Sequence, residues 1–255
     1  MDAYKLKWIA IIGMVLNHMV FGWWEIMPTW LAIPLYAAGG LTFPIMSYFV
    51  VEGYRHTSNL KKYILRLFVF GVIAAFFHPL VFGGIIMNIM FTIIVGIISL
   101  VLYDKMTIRP LFWVLFVILC LLTLFPIFFD WAIIGVVMIL LTHIIYDENK
   151  RRVVPTVVGG IFVFLISLLD LWALNHSNLY VDTSDVDETL MFVSTFFVIG
   201  CIAAAFLLKN FNGERGKRMR WLFYIFYPLH LAIIGGIALA LGLVDFSAFQ
   251  LLHLF

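Results

Sequence analysis

Charge is what this sequence has least of. Asp, Glu, Lys and Arg make up 12% of its 255 residues and apolar residues 64%, where soluble globular domains carry about 25% and 45–50%. A soluble fold of this size has no means of covering so much apolar surface, whereas lipid tails need no polar covering. Cysteine is also scarce. Cys120 and Cys201 each lie inside an apolar run, which excludes a disulfide framework and reads as two free core thiols. The chain has no Walker loop, no dinucleotide fingerprint and no His/Cys/Glu set at metal-ligand spacing. No helix carries the serial arginines of a voltage sensor. Nucleic-acid binding has no support beyond basic loops. Repeats, low-complexity tracts and a soluble domain are equally missing, so residues 1–255 read as a single transmembrane domain.

What is present is a series of long apolar runs. A spanning helix needs about 20 mostly apolar residues, and runs of that kind cover roughly 6–24, 31–51, 63–82, 86–103, 110–128, 131–147, 153–174, 189–208 and 221–243. They are continuous and not alternating, which predicts helices and an all-α polytopic bundle of about nine spans. Lys5 and Lys7 precede the first run as in a signal peptide, but the run continues to Trp24 with no small-residue cleavage site and is read as the first span. With the N-terminus in the cytoplasm, all 16 Lys and Arg fall on inner segments and none on outer ones, as the positive-inside rule requires. The C-terminus is then outside. Glu25, Asp130, Asp182, Asp185, Asp187, Glu188 and Asp245 fall on the outer side, where 175–190 is the one sizeable loop and contains the acceptor-like triplet Asn175-His176-Ser177.

Polar side chains within hydrocarbon are costly and mark functional positions. His18 lies about eleven residues into the first run, near the middle of a bilayer. It reads as a packed, hydrogen-bonded histidine or as a working group, and the cost of an unpaired imidazole in lipid favours the second. Asn17 precedes it, with Gly13 and Ala10 on the same helical face. His78, beside Pro79, ends the third run and Asn88 opens the fourth. Asp130 opens the sixth, as a helix cap or as a site residue, and Asp170 lies deeper, near the outer end of the seventh. His230 follows Tyr227-Pro228-Leu229, where the proline also reads as a simple kink. Together these residues predict a polar cavity open to the outer half of the bilayer. On the inner side, Glu52-Gly53-Tyr54-Arg55-His56-Thr57 ends the second run, Lys61 and Lys62 follow, and Tyr63 and Arg66 begin the third. Orientation alone accounts for most of this positive charge. Arg66, already inside the apolar run, is better explained by a phosphate-bearing ligand from the cytosol.

These residues carry a resemblance that covers most of the chain. Leu6-Lys7 and Met14-Val15-Leu16-Asn17-His18 are similar to the Met-x-x-Asp-His of the TraX family. Leu41-Thr42-Phe43-Pro44, Glu52-Gly53-Tyr54, His56-Thr57, Tyr63 and Arg66-Leu67 follow in order. Asn88-Ile89-Met90-Phe91-Thr92 resembles its Asn-Ile-x-Phe-Thr, and Phe226-Tyr227-Pro228-Leu229-His230-Leu231 its closing Phe-Tyr-Pro-x-His-Leu. The pattern departs twice. Asn17 stands where the family has Asp, and Gly40 stands where it has Arg before Leu-x-Phe-Pro.

The resemblance implies acyl transfer. TraX is associated with N-terminal acetylation of conjugative pilin and is similar to transmembrane acyltransferases that use a histidine on an early helix. Carried onto this chain, it implies His18 as general base, with Asp130 or Asp170 in place of the missing carboxylate. Asn17 or Asn88 would donate to the oxyanion, and His78, Asn88, His230 and Glu52 would surround the substrate. Arg55, His56, Lys61, Lys62 and Arg66 would hold the phosphates of acetyl-CoA, with no metal. The expected acceptor is extracytoplasmic: an envelope glycan, a lipid-linked sugar or a pilin-like peptide. The expected location is a bacterial plasma membrane, among lipids. Gly39-Gly40, Gly83-Gly84, Gly159-Gly160 and Gly235-Gly236 permit close helix packing, within one chain or in a homo-oligomer. Two other classes stay open: a transporter or flippase with a midplane cavity, and a non-catalytic assembly or immunity protein.

Overall fold

A computed structural model describes residues 1–83, 87–124, 129–176, 188–217 and 219–244. These form twelve α-helices in the order α1 (Ala3–Gly22), α2 (Thr29–Gly39), α3 (Thr42–His56), α4 (Leu60–Ala75), α5 (Pro79–Phe82), α6 (Ile89–Lys105), α7 (Arg109–Leu122), α8 (Ala132–Ile144), α9 (Glu148–His176), α10 (Glu188–Ser194), α11 (Phe197–Lys209) and α12 (Arg220–Ala240). The described residues contain no strand; one isolated bridge joins Met87 to Phe129. Five stretches are long and apolar enough to cross a membrane: Ala3–Gly22, Thr29–His56, Glu148–Trp172, Phe192–Lys209 and Trp221–Ala240. The chain is therefore an all-α membrane protein. Asp182, Asp185, Asp187, Arg218, Asp245, Gly84 and the Ser177 end of the acceptor-like triplet lie outside the described residues.

Three of the predicted runs are broken. The run 31–51 divides into α2 and α3 around Gly40 and Leu41, and 189–208 divides into α10 and α11. The run 63–82 leaves α4 after Ala75 and resumes as the single turn α5, with Pro79 as its first residue. Proline has no N–H to continue a helix and collides with the carbonyl four residues back, so the helix stops before it. That break places His78 at a corner instead of on a continuous helical face.

Polar contacts gather the basic helix ends at one end of the bundle. The Tyr54 hydroxyl of α3 donates to Asp104 of α6 at 2.7 Å. The other Asp104 oxygen meets His143 Nε2 of α8 at 2.8 Å, and Arg55 donates to the His143 carbonyl at 2.8 Å. Arg151, buried in the first turns of α9, pairs with Glu52 of α3 and with Glu148 at 3.1 Å. Arg152 donates to the Phe211 carbonyl beyond α11 at 2.8 Å. The loop between α11 and α12 in turn accepts the Ala3 amide on the Glu214 carbonyl at 2.8 Å. The start of α1, the α3–α4, α6–α7 and α8–α9 junctions and the α11–α12 loop thus meet at one basic end.

The helices approach closely where side chains are absent. A methyl group added to Gly40 would run into the Phe197 carbonyl oxygen and the backbone of Gly200 and Cys201, and one added to Gly200 would meet the Ala37 carbonyl. The turn between α2 and α3 therefore lies flat against α11, in the small-residue manner of membrane helix pairs. Cys201 and Cys120 are both buried and free. The Gly200→Ala variant should lose about 1–3 kcal/mol through overpacking. Gly236→Ala, which meets nothing within 4 Å, should not. Thermal midpoints of the two proteins in the same detergent test this; equal midpoints would remove the Gly40–Gly200 contact as a packing constraint.

Candidate active site

A cavity of about 380 Å³ opens within the bundle, away from the basic end. Asn17 and His18 of α1, Tyr36 of α2, His78 and Phe82 at the α4–α5 corner, Asp130 and Trp131 before α8, and Tyr227 of α12 all line it. No Lys or Arg is among its lining residues. His18 is buried, at 7% exposure, and its Nδ1 lies 2.7 Å from Nε2 of His230. His230 Nδ1 lies 3.0 Å from the Phe226 carbonyl oxygen one turn back. These distances fix the tautomers of two neutral rings. A carbonyl only accepts, so His230 Nδ1 carries its hydrogen and Nε2 keeps the lone pair; His18 Nδ1 must then donate to it. The result is a lone pair on His18 Nε2, the nitrogen a general base requires. The bond also ties the first helix to the last.

Asn17 and His78 contribute donors without protein partners. The Asn17 side-chain nitrogen is buried and makes no hydrogen bond, and neither does either ring nitrogen of His78. Glycine accounts for the position of Asn17, since a Cβ at Gly39 would lie 2.7 Å from its amide nitrogen. His78 stacks on Phe82 with centroids 4.3 Å apart, and Phe82 sits edge-on to His18 at 5.0 Å. Across the cavity Trp131 adopts φ 60°, a left-handed conformation costly for a bulky residue and typical of functional sites. The Asp130 amide donates to the Met87 carbonyl at 2.8 Å and the Thr92 hydroxyl donates to the Asp130 carbonyl, which hold this turn in place.

A second cavity of about 540 Å³ occupies the basic end, with Lys7, Glu52, His56, Arg66, Arg215 and Lys217 on its wall. Met46, Met90, Ile93 and Phe223 line both cavities, so the two are neighbours that share an apolar wall. Helical stripes connect them. Lys7, Met14 and His18 follow one face of α1 at spacings of seven and four; Phe223, Tyr227 and His230 follow one face of α12 at four and three. Lys7 and His18 are about 16 Å apart along the axis at 1.5 Å per residue. Arg66 lies between the rings of Tyr224 at 5.5 Å and Tyr63 at 6.0 Å, and its buried Nε has no hydrogen-bond partner.

The structure gathers some of the predicted residues and disperses others. His18, Asn17, His78 and Asp130 share the first cavity, while His56 and Arg66 line the second. Among the described residues no carboxylate orients His18; His230, expected around the substrate, does so instead. Asp170 is exposed and lines neither cavity, because it falls on the outward side of α9. Asn88 is fully buried, but it spends its amide on the Gly71 carbonyl at 2.8 Å and its oxygen on the Met90 amide at 3.2 Å. It is the N-cap of α6 and does not line the histidine cavity. Glu52 lines the basic cavity and is engaged by Arg151, not the histidine cavity. Arg55 is turned to the end of α8, and Lys61 and Lys62 are exposed on the first turn of α4; none lines the basic cavity. Lys7, Arg215 and Lys217 supply charge there in their place. The α1 stripe could have revealed Lys7. No local signal marks Arg215 or Lys217. Gly40 is buried against α11 and lines neither cavity.

The profile of the TraX protein family matches residues 3–238. This chain belongs to the TraX family. The match includes every residue of both cavities and His230. The chain is 28% identical over 252 residues to the "Probable fimbrial assembly protein FimC, serogroup H1" of Dichelobacter nodosus, covering 91% of this chain and 94% of that one. No solved structure matches. Among the described residues of this TraX protein, no group of three or more His, Cys, Asp or Glu is placed to hold a metal ion. Its Asn88→Ala variant should lose stability by about 0.5–2 kcal/mol, the usual cost of an N-cap. Its reactivity at His18 toward an imidazole-modifying reagent should be unchanged. A loss of that reactivity at full stability would return Asn88 to the site.

Proposed function

We propose that this TraX protein is a membrane-embedded acyltransferase that moves an acyl group, expected to be acetyl, from cytosolic acyl-CoA to an acceptor at the outer face of a bacterial plasma membrane. The observation that carries this reading is the adjacency of the two cavities: a basic cavity and a histidine cavity share four apolar wall residues. Lys7, Arg66, Arg215 and Lys217 suit the phosphates of the donor. Its flexible arm would pass between those four side chains, bringing the thioester to His18 while the nucleotide stays at the basic end. His18 Nε2 takes the proton of the acceptor amine or hydroxyl as that group attacks the thioester carbon. Asn17 donates to the oxyanion. Collapse releases the CoA thiolate, which recovers the proton from His18. His230 holds the imidazole in the tautomer this requires and shares the positive charge that forms. General-base assistance of this kind is worth about 10²–10⁴ in rate.

In this reading the nine apolar runs are nine spans, with the basic end and N-terminus in the cytoplasm and the C-terminus outside. The relative named as a fimbrial assembly protein favours a pilin-like peptide as acceptor over an envelope glycan or a lipid-linked sugar. The same name supports a second reading, a non-catalytic assembly role, in which His18 would be replaceable by an apolar residue of similar size.

The purified protein should bind acetyl-CoA. Arg66→Ala should weaken that binding about tenfold or more, the loss of a charge-assisted contact, and His18→Ala should leave it intact while abolishing acyl transfer. Calorimetry and radiolabel transfer read the two effects. A folded protein that binds no acetyl-CoA would leave the assembly or transporter readings. For topology, an impermeant label applied to intact cells should reach a tag at the C-terminus and not one at the N-terminus; the reverse pattern would overturn the orientation.

A further inference from the structure

The mechanism above leaves His78 unused. Of the histidines whose side chains are described, it alone has neither ring nitrogen engaged. It is 2% exposed, and it lines the cavity that holds His18 and Asn17. Stacking on Phe82 explains the plane of the ring, but a phenyl ring would stack equally well and would strand no nitrogen. Buried polar groups in folded proteins are paired with few exceptions, and the exceptions call for an explanation. A neutral imidazole always carries one N–H. Here that hydrogen has no acceptor, in a residue that lines the cavity.

We infer that His78 is a catalytic hydrogen-bond donor: as a neutral imidazole it joins the Asn17 amide in holding the oxyanion of the tetrahedral intermediate. The inference rests on the acyl-transfer reading and adds to it the second donor of the oxyanion site. Phe82 separates the two histidine roles, facing the His78 ring with its flat side and the His18 ring edge-on. His18 is held by His230 so that its free nitrogen accepts a proton. His78, with no acceptor of its own, is left to donate. When the acceptor attacks, its proton passes to His18 Nε2 and the carbonyl π pair moves onto oxygen, where the N–H groups of Asn17 and His78 receive it. When the carbonyl re-forms, the C–S bond breaks and the thiolate takes the proton back from His18. His78 transfers no proton at any step. Donors of this kind act by being fixed before charge develops, and removing one typically costs about 10²–10³ in rate.

The test needs no acceptor. Two CoA thioethers serve as probes for the protein in nanodiscs: S-acetonyl-CoA, a planar ketone, and its trifluoromethyl counterpart, which is hydrated to a tetrahedral diol. Wild type should bind the trifluoromethyl ketone at least about tenfold more tightly. In His78→Phe, and in His78→Met should the phenyl variant not fold, that preference should fall about tenfold or more, with S-acetonyl-CoA binding unchanged. His78→Gln, which restores an N–H, should recover most of it. A preference unchanged in His78→Phe or His78→Met, a parallel loss of both ketones, or a wild type without any preference would overturn the role of His78. Failure of wild type to bind either ketone or CoA itself would instead overturn the acyl-transfer reading beneath it.

Discussion

Hydrocarbon offers no hydrogen-bond partner, and each unpaired polar group exposed to it costs several kcal/mol. That constraint governs the molecule at every level. It requires helices, since a helix satisfies its own backbone. It turns the polar side chains inward, where they meet one another. The short bond between His18 and His230 is the most consequential of these meetings. The two residues lie more than two hundred positions apart; with one nitrogen of His230 held by its own helix, the other pairs with His18, and that pairing joins α1 to α12.

The same pressure shapes the two cavities differently. At the basic end, carboxylates and cations come in pairs: Glu52 with Arg151, Arg152 with Glu148, and Asp104 with His143 and Tyr54. These contacts consume charge to fasten helix ends together, while Arg66 and Lys7, outside those pairs, line the basic cavity. In the histidine cavity the reverse holds. Asn17 and His78 keep unmatched donors, Trp131 holds a disfavoured backbone conformation, and Gly39 clears the space in which Asn17 sits. Departures from polar satisfaction and relaxed geometry that occur together in this way are characteristic of a working site.

The all-helical, membrane-embedded character was legible in the residue pattern, because hydropathy is summed over many positions and survives local error. The site was legible only in part. His18 and Asn17 stand out because polarity in the middle of an apolar run has few structural explanations. Asn88 and Asp170 stand out by the same rule and lead away from the site, since one polar residue can cap a helix and another can face outward from the bundle. The cluster Arg55, Lys61 and Lys62 misled for a related reason. Adjacency in sequence puts neighbouring residues around a helix, not on one side of it, so of the five cavity cations expected from that segment only His56 and Arg66 line the cavity.

Composition, run length and the distribution of Lys and Arg determined without help from coordinates that this is an all-helical membrane protein with its cations at one end. They also singled out a histidine near the centre of the first helix. Those properties are local or additive. Which nitrogen of His18 is free, which residue orients it, which donors are left without partners and which cations face the cavity were decided only by the packing of helices far apart in the chain. The reason is physical: a hydrogen bond of 2.7 Å is satisfied or lost over a few tenths of an ångström, and no periodicity in a single helix specifies its neighbour's position that closely.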